Sequence, residues 1–361
     1  MSPRALTTGL AGIVAVVIAV LLLRGGGGGG RSEANAATAA DAFLARYVEP
    51  DGRVSRHDQG GDTVSEGQAY AMLLAGAQGR ARTFAKVWDW TRENLRQPDG
   101  LLAWHWEGGK VVDPHSAADG DLDAAWALLR AARRFGERAY RAEGLKLASA
   151  ILEHETVSLD GRSLLVAGDW ANTFPAVVDP SYFSPAAFAA LGRASGDPRW
   201  GQLTETSAEV LGELTDRPTG LAPDWAKVEA DGTAGPTAPP GEGGEATFGY
   251  DAVRVPLWQA TGCAGSDREI AARSAPFLSE AMAGSSPAAT YSLEGEPREG
   301  EAGAAILVAT AAAGAAAGEV EASAEWLDRA AAADEAEPTY YGSALVALGR
   351  AALEPDGGLA C

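Results

Sequence analysis

The residues with the most chemistry in them are acids that open helical stretches. Glu66 stands in Ser65-Glu66-Gly67-Gln68-Ala69-Tyr70, Asp119, Asp121 and Asp123 occupy alternate positions, and Asp251 lies between Tyr250 and a nearby Arg254. Carboxyls gathered in one cleft raise one another's pKa, which leaves one of them able to donate a proton near neutral pH. A proton held in that way is what a general acid needs. Each residue also has a plainer use: Glu in a first helical turn offsets the helix dipole, and Asp caps helices. The 4 histidines are scattered, and Cys263 and Cys361 have no metal-type spacing, so neither a metal nor another cofactor is expected.

Whether these acids meet depends on the elements that carry them. Ser65 followed by Gln68 reads as a capping box, predicting a helix whose stripe is Tyr70, Leu73, Leu74 and Ala77. Along the chain, helical patterns of two kinds alternate. Those starting near 65, 119, 184, 250, 299 and 339 are the more apolar. Those near 36, 82, 138, 199, 267 and 319 are more charged and amphipathic. Consecutive, short-linked helices pack antiparallel, so all the apolar helices would point one way. The pattern predicts an all-α fold, an (α/α)6 barrel of six helix hairpins, with the inner N-termini converging on one end. Glu66, Asp119 and Asp251 would meet there. Within this pattern Asp251 is expected on the helix opening at Tyr250, residues 267–282 form one helix, and Ser184 and Thr339 are N-caps. The Gly/Pro-rich excursion 231–246 reads as a lid or hairpin.

Composition narrows the partners. Hydrophobic residues make up 46% and charged residues 22% of the chain, as in ordinary globular proteins. A net charge of −20 argues against nucleic acid or anionic lipid as the main partner. Among the 10 tryptophans, Trp104, Trp106, Trp170 and Trp225, with Tyr182, fall in or beside loops at the proposed site end. Flat rings with polar tips suit sugar faces as well as cores. Residues 1–24 read as an N-terminal membrane anchor or signal segment, since the uncharged run 5–23 is just long enough to span a bilayer. Residues 25–35 follow as a Gly-rich tether and 36–355 as the catalytic domain. The expected location is the extracellular face, anchored, with secretion after cleavage as the alternative.

Five motifs resemble, in order, the signatures of glycoside hydrolase family 8. They are Ser65-Glu66-Gly67-Gln68-Ala69-Tyr70, the run 118–125 around Asp119, Asp179-Pro180-Ser181-Tyr182, Pro223-Asp224-Trp225, and Tyr250-Asp251-Ala252-Val253-Arg254-Val255-Pro256. The nearest likeness is to the bacterial endoglucanases encoded with cellulose synthase, and it runs from about Asp41 to Tyr341. The resemblance implies an (α/α)6 barrel that cleaves β-1,4-glucan with inversion. It implies Glu66 as proton donor, Asp251 as the base that activates water, and Asp119 as a catalytic-site residue that positions the sugar at the cleavage point. Tyr182, Trp225, Arg254 and Tyr341 match residues lining the substrate groove. Tyr70, Trp104 and Asp121, in or beside the same motifs, are expected to contact substrate too. Ala71 departs from the pattern, standing where the family usually has Gly. A monomer is expected, with the cellulose synthase machinery as a possible neighbour. The competing readings are a chitosanase or xylanase of the same fold, or a non-catalytic glycan-binding protein of a polysaccharide export system.

Overall fold

A computed structural model describes residues 35–241 and 243–360. Residues 1–34, where the anchor or signal segment is expected, lie outside the described residues. Among the described residues no helix is long and apolar enough to cross a membrane.

The helices are α1 (Ala36–Tyr47), α2 (Ser65–Ala77), α3 (Ala81–Asn94), α4 (Ala118–Phe135), α5 (Arg138–His154), α6 (Pro185–Ser195), α7 (Arg199–Leu214), α8 (Arg254–Ala260), α9 (Gly265–Ala272), α10 (Ala275–Ala283), α11 (Ala304–Ala316), α12 (Val320–Ala336) and α13 (Tyr340–Leu353). Inner helices α2, α4, α6, α8, α11 and α13 each pack on the next, and α13 returns to α2, which closes a ring. The remaining helices form the outer layer, with α1 covering α13. This is an (α/α)6 barrel.

The burial pattern explains why the sequence alternates. Helix α2 is buried along nearly its whole length, whereas outer α5 buries one stripe, Gly144, Leu147, Ala148, Ala150, Ile151 and Leu152. Inner α11 is buried without a break from Ala304 to Gly314. A helix enclosed on all sides needs no polar face, and that is why this Ala-rich run shows no face preference. The fifth outer helix is broken between α9 and α10. Pro276 lacks the N–H a continuous helix would need and its ring would strike the carbonyl of Ala272, so residues 267–282 do not form a single helix.

The two ends of the barrel differ. Inner-to-outer links are short, as at 78–80 and 317–319. The outer-to-inner links carry all the described strands: β1 (Thr63–Val64), β2 (His105–Glu107), β3 (Lys110–Asp113), β4 (Thr156–Leu159), β5 (Arg162–Leu165), β6 (Ala176–Val178), β7 (Trp225–Val228), β8 (Ala234–Thr237), β9 (Thr247–Phe248) and β10 (Tyr291–Ser292). They pair antiparallel in four small sheets, β1-β2-β3, β4-β5, β6-β7-β8 and β9-β10. The first part of the 231–246 excursion belongs to the β7-β8 hairpin, which turns at Ala230-Asp231.

Local capping departs from expectation at α2. Val64 is its N-cap, without a side-chain cap, and the Ser65 hydroxyl is buried without a hydrogen-bond partner. The reason is tertiary. A Cβ on Gly120 would lie 2.3 Å from Ser65 Oγ and 3.0 Å from the Glu66 nitrogen, so the start of α4 presses directly on the start of α2. Gln68 faces the opposite way and is fully buried. Its Oε1 accepts from Val54 N at 2.5 Å, and its Nε2 donates to Thr91 Oγ1 at 2.7 Å and to the carbonyls of Gly52 and Val87, each at 3.3 Å. Gln68 thus fastens α2 to α3 and to the loop after α1. Ser184 precedes Pro185 at the start of α6 but makes no side-chain cap, whereas Thr339 Oγ1 accepts from Gly342 N as a cap should.

Gln68→Ala strands these buried groups and leaves a void. Denaturant unfolding of this variant is expected to show a loss of about 2–4 kcal/mol; a loss under about 1 kcal/mol would contradict the fastening role of Gln68.

Candidate active site

Five of the inner helices deliver groups to one point from their N-terminal ends. Glu66 is in the first turn of α2, and Asp119 is in the first turn of α4. Asp179 and Ser181 lie in the 3-10 turn Pro180–Tyr182 and its cap, just before α6. Arg254 is the first residue of α8, and Tyr340 and Tyr341 open α13.

Arg254 holds them together. Its side chain is 3% exposed. Nη1 donates to Glu66 Oε2 at 2.8 Å and lies 3.4 Å from the Tyr341 hydroxyl. Nη2 donates to Asp251 Oδ1 at 3.1 Å and to Ser181 Oγ at 2.8 Å, while Nε donates to Ser181 Oγ at 3.1 Å. Nη2 is also 3.5 Å from Asp179 Oδ2 and 3.8 Å from Asp119 Oδ2. The rings of Tyr182 and Tyr341 lie 5.7 and 5.9 Å from the guanidinium carbon. Its planar fork, always charged, suits several carboxylates at once. The sequence places Arg254 as a groove-lining residue; the structure makes it the centre of the cluster.

One buried cation cannot neutralise four carboxylates, and the carboxyls of Glu66, Asp119 and Asp179 are raised above their ordinary values. Burial raises the Glu66 carboxyl above its ordinary value, with the Asp251 charge adding to this; Arg254 and the Tyr340 hydroxyl, which donates to Oε1 at 3.1 Å, oppose the shift. Its position at a helix N-terminus, which favours ionisation, does not prevail. Burial likewise pushes Asp119 up to about 7 against the pull of Arg254, with the Glu66 charge contributing. Asp179 is pushed well above the carboxylate range by burial and then by Asp251. Glu66 keeps 19% of its side chain exposed and Asp251 35%. These two acids are therefore the most open to a ligand; Asp119 keeps 8% of its side chain exposed and Asp179 none.

Aromatic side chains flank the cluster. Tyr182 and Trp225 have ring centroids 6.4 Å apart, and Trp170, 37% exposed, lies 6.4 Å from Trp225. On another side Tyr250 meets Tyr341 at 6.5 Å, and the Tyr341 hydroxyl donates to the Tyr250 carbonyl at 2.6 Å. Trp104 is half-buried beside the acid, its carbonyl accepting from Ser65 N at 3.0 Å.

Two expected substrate contacts are placed elsewhere. Asp121 is fully buried, and its Oδ1 accepts from Leu102 N at 2.9 Å. It fastens the loop bearing Trp104 and does not line the groove, because alternation along a helix start turns it toward that loop. Tyr70 is 1% exposed with its hydroxyl unpartnered. It lies beneath the acids, close enough for the Glu66 charge to act on it. Asp251 is not on a helix: residues 250–253 form turns, and α8 starts only at Arg254. Tyr340, Asp179, Ser181 and Asp224 received no role from the sequence. Asp179, Ser181 and Asp224 stand within the five family-like motifs, so the signal available was their place in them.

The model of the family described as glycosyl hydrolases family 8 matches residues 30–353. The chain belongs to this family. An endoglucanase of Cellulomonas uda is 30% identical over 236 residues, covering 62% of this chain and 63% of the relative. An endoglucanase of Escherichia coli strain K12 is 36% identical over 234 residues, covering 61% of each. The chain thus spans a little under two thirds of these curated relatives. The solved structure of the endo-β-1,4-glucanase CMCax from Acetobacter xylinum superposes with a TM-score of 0.73 at 27% identity, over 87% of this chain and 96% of that one. The six-hairpin barrel is the architecture of this family of glycosyl hydrolases.

The raised acids have a consequence for stability. The native Asp119 carboxyl sits at about 7 against an ordinary 3.8, so between those values the folded state binds the proton that the unfolded chain releases. Its contribution is fully present below about pH 4 and is lost as pH rises through about 7. In Asp119→Asn, denaturant midpoints measured across that window are expected to decline less steeply than in the parent; an unchanged slope would contradict the assignment.

Proposed function

We propose that the chain is an endo-acting β-1,4-glucanase that cleaves with inversion of configuration. The observation that carries this reading is that Glu66 and Asp251 are held on different nitrogens of one buried guanidinium, with burial raising the Glu66 carboxyl above its ordinary value.

Glu66, protonated, gives its proton to the glycosidic oxygen as the bond to the leaving sugar breaks. Asp251, ionised, takes a proton from a water that attacks the anomeric carbon from the opposite face of the ring. Inversion requires the two carboxyls to stand roughly 6.5–9.5 Å apart with that water between them. After turnover Glu66 is ionised and Asp251 protonated, and exchange with solvent through their exposed edges resets both. Asp119, with its Oδ1 accepting from Gly120 N at 2.7 Å, is a fixed acceptor at the floor of the cluster and positions the sugar at the cleavage point. The run Trp170–Trp225–Tyr182, with Trp104 and Tyr341, supplies faces for successive glucosyl rings. The similarity to proteins named endoglucanases favours glucan over other polymers.

The N-terminal apolar run carries a separate part of this reading. Its length, just enough to span a bilayer, supports a catalytic unit anchored at the extracellular face.

Glu66→Gln keeps the shape of the acid and removes its proton. Turnover of carboxymethylcellulose is expected to fall by about 10³-fold, with cellohexaose binding by calorimetry unchanged within about threefold. Near-parent activity in this variant would sink the assignment of the acid. On a panel of carboxymethylcellulose, mixed-linkage glucan, chitosan and xylan, the parent enzyme is expected to act fastest on the first. Preference for chitosan, which the acidic surface could attract, would move the substrate but leave the acid in place.

A further inference from the structure

Asp251 is borne on a turn and owes its position to groups outside its own segment. Those groups come chiefly from one residue. Asp224, at the mouth of β7 and 9% exposed, turns its carboxylate into the concave side of residues 247–252. Its Oδ1 accepts three backbone N–H groups, from Gly249 at 3.0 Å, Asp251 at 3.0 Å and Ala252 at 2.7 Å. Its Oδ2 accepts from Thr247 Oγ1 at 3.1 Å, and its own N–H donates to the Thr247 carbonyl at 2.8 Å. Successive N–H groups curled around one oxygen make a nest that an anion fills. Gly249 is part of the fit: a Cβ there would lie 2.3 Å from Asp224 Oδ2, so any larger residue pushes the carboxylate out of the nest.

We propose that Asp224 is the positioning residue of Asp251, its carboxylate fixing the backbone turn that aims the base at water. This rests on the assignment of Asp251 as the base. The Asp251 side chain is held from the other direction by Arg254 Nη2 at 3.1 Å, a contact shared with Ser181. The turn is pinned a second time by Tyr341 on the Tyr250 carbonyl. Arg254 holds the Asp251 side chain and Tyr341 the start of the turn, while Asp224 holds the Asp251 backbone itself. A base must come within hydrogen-bond reach of the proton it takes, and a displacement of about 1 Å costs up to about 100-fold in rate. Asp224 therefore acts on the bond-making step and leaves the binding of the sugar chain alone.

The test uses full-length Asp224→Asn, Gly249→Ala and Asp251→Asn with cellohexaose. Asp224→Asn is expected to lower kcat by about 10–100-fold with KM within about twofold of the parent. Gly249→Ala, which disturbs the same carboxylate without removing it, gives the same split and decides the matter should Asp224→Asn fail to fold. Added to Asp251→Asn, the Asp224 change costs less than about twofold more, because residues that act as a unit are not additive. An equal further loss in the Asp251→Asn background, or a raised KM with kcat intact, overturns the proposal. An active Asp251→Asn would instead remove the base assignment, whereas an inactive Asp251→Asn beside a fully active Asp224→Asn removes only the positioning role.

Discussion

The site depends on one buried guanidinium. Arg254 is surrounded by the carboxyls of Glu66, Asp119, Asp179 and Asp251, all within 3.8 Å of its nitrogens. Enclosing a cation is costly unless it is paired and hydrogen-bonded, so the carboxyls stabilise Arg254. In turn a single positive charge cannot balance all of them in a dry space, so protons must stay on some. That shortage of positive charge adds to burial, which raises the Glu66 carboxyl above its ordinary value, the direction that the proposed role as acid requires.

The barrel is the means of assembling that cluster. Inner helices running in one direction bring their N-termini to one end, and five of the six contribute residues from their first turn or from the turn just before it. Helix N-termini offer N–H groups and positive dipole ends, which is why acids collect there. Long outer-to-inner links are confined to this end, and short paired strands tie them to one another. Close approach at Gly120 and the buried fastener Gln68 then fix the height and direction of α2, and with them the position of Glu66.

Much of this architecture is legible in the sequence because it is repetitive. An enclosed helix and a half-exposed one carry different side chains, and the alternation along the chain follows the two layers. The convergence of Glu66 and Asp119 follows from that topology, whereas Asp251 reaches them from a turn before its helix. What local pattern does not carry is partner choice. Ser65 and Gln68 have the spacing of a capping box, yet tertiary contacts with Gly120, Val54 and Thr91 outweigh a cap worth about 1 kcal/mol. Asp251 follows a tyrosine where a helix is expected, but the Asp224 carboxylate draws its backbone into a turn. The strands span only two to four residues, too few to show alternation. Arg254 has partners from residue 66 to residue 341, and no window of sequence shows them meeting.

The stereochemistry of the first product follows from these roles more directly than any rate. If Glu66 protonates the leaving oxygen while Asp251 drives water onto the opposite face, the new reducing end is born in the α configuration. Proton NMR of cellohexaose during the first minutes of hydrolysis should then show the α-anomer signal growing ahead of its equilibrium share, with the β signal following by mutarotation. A product that starts as the β-anomer would mean retention through a covalent intermediate, and would contradict the roles of Glu66 as acid, Asp251 as base and Arg254 as the cation between them.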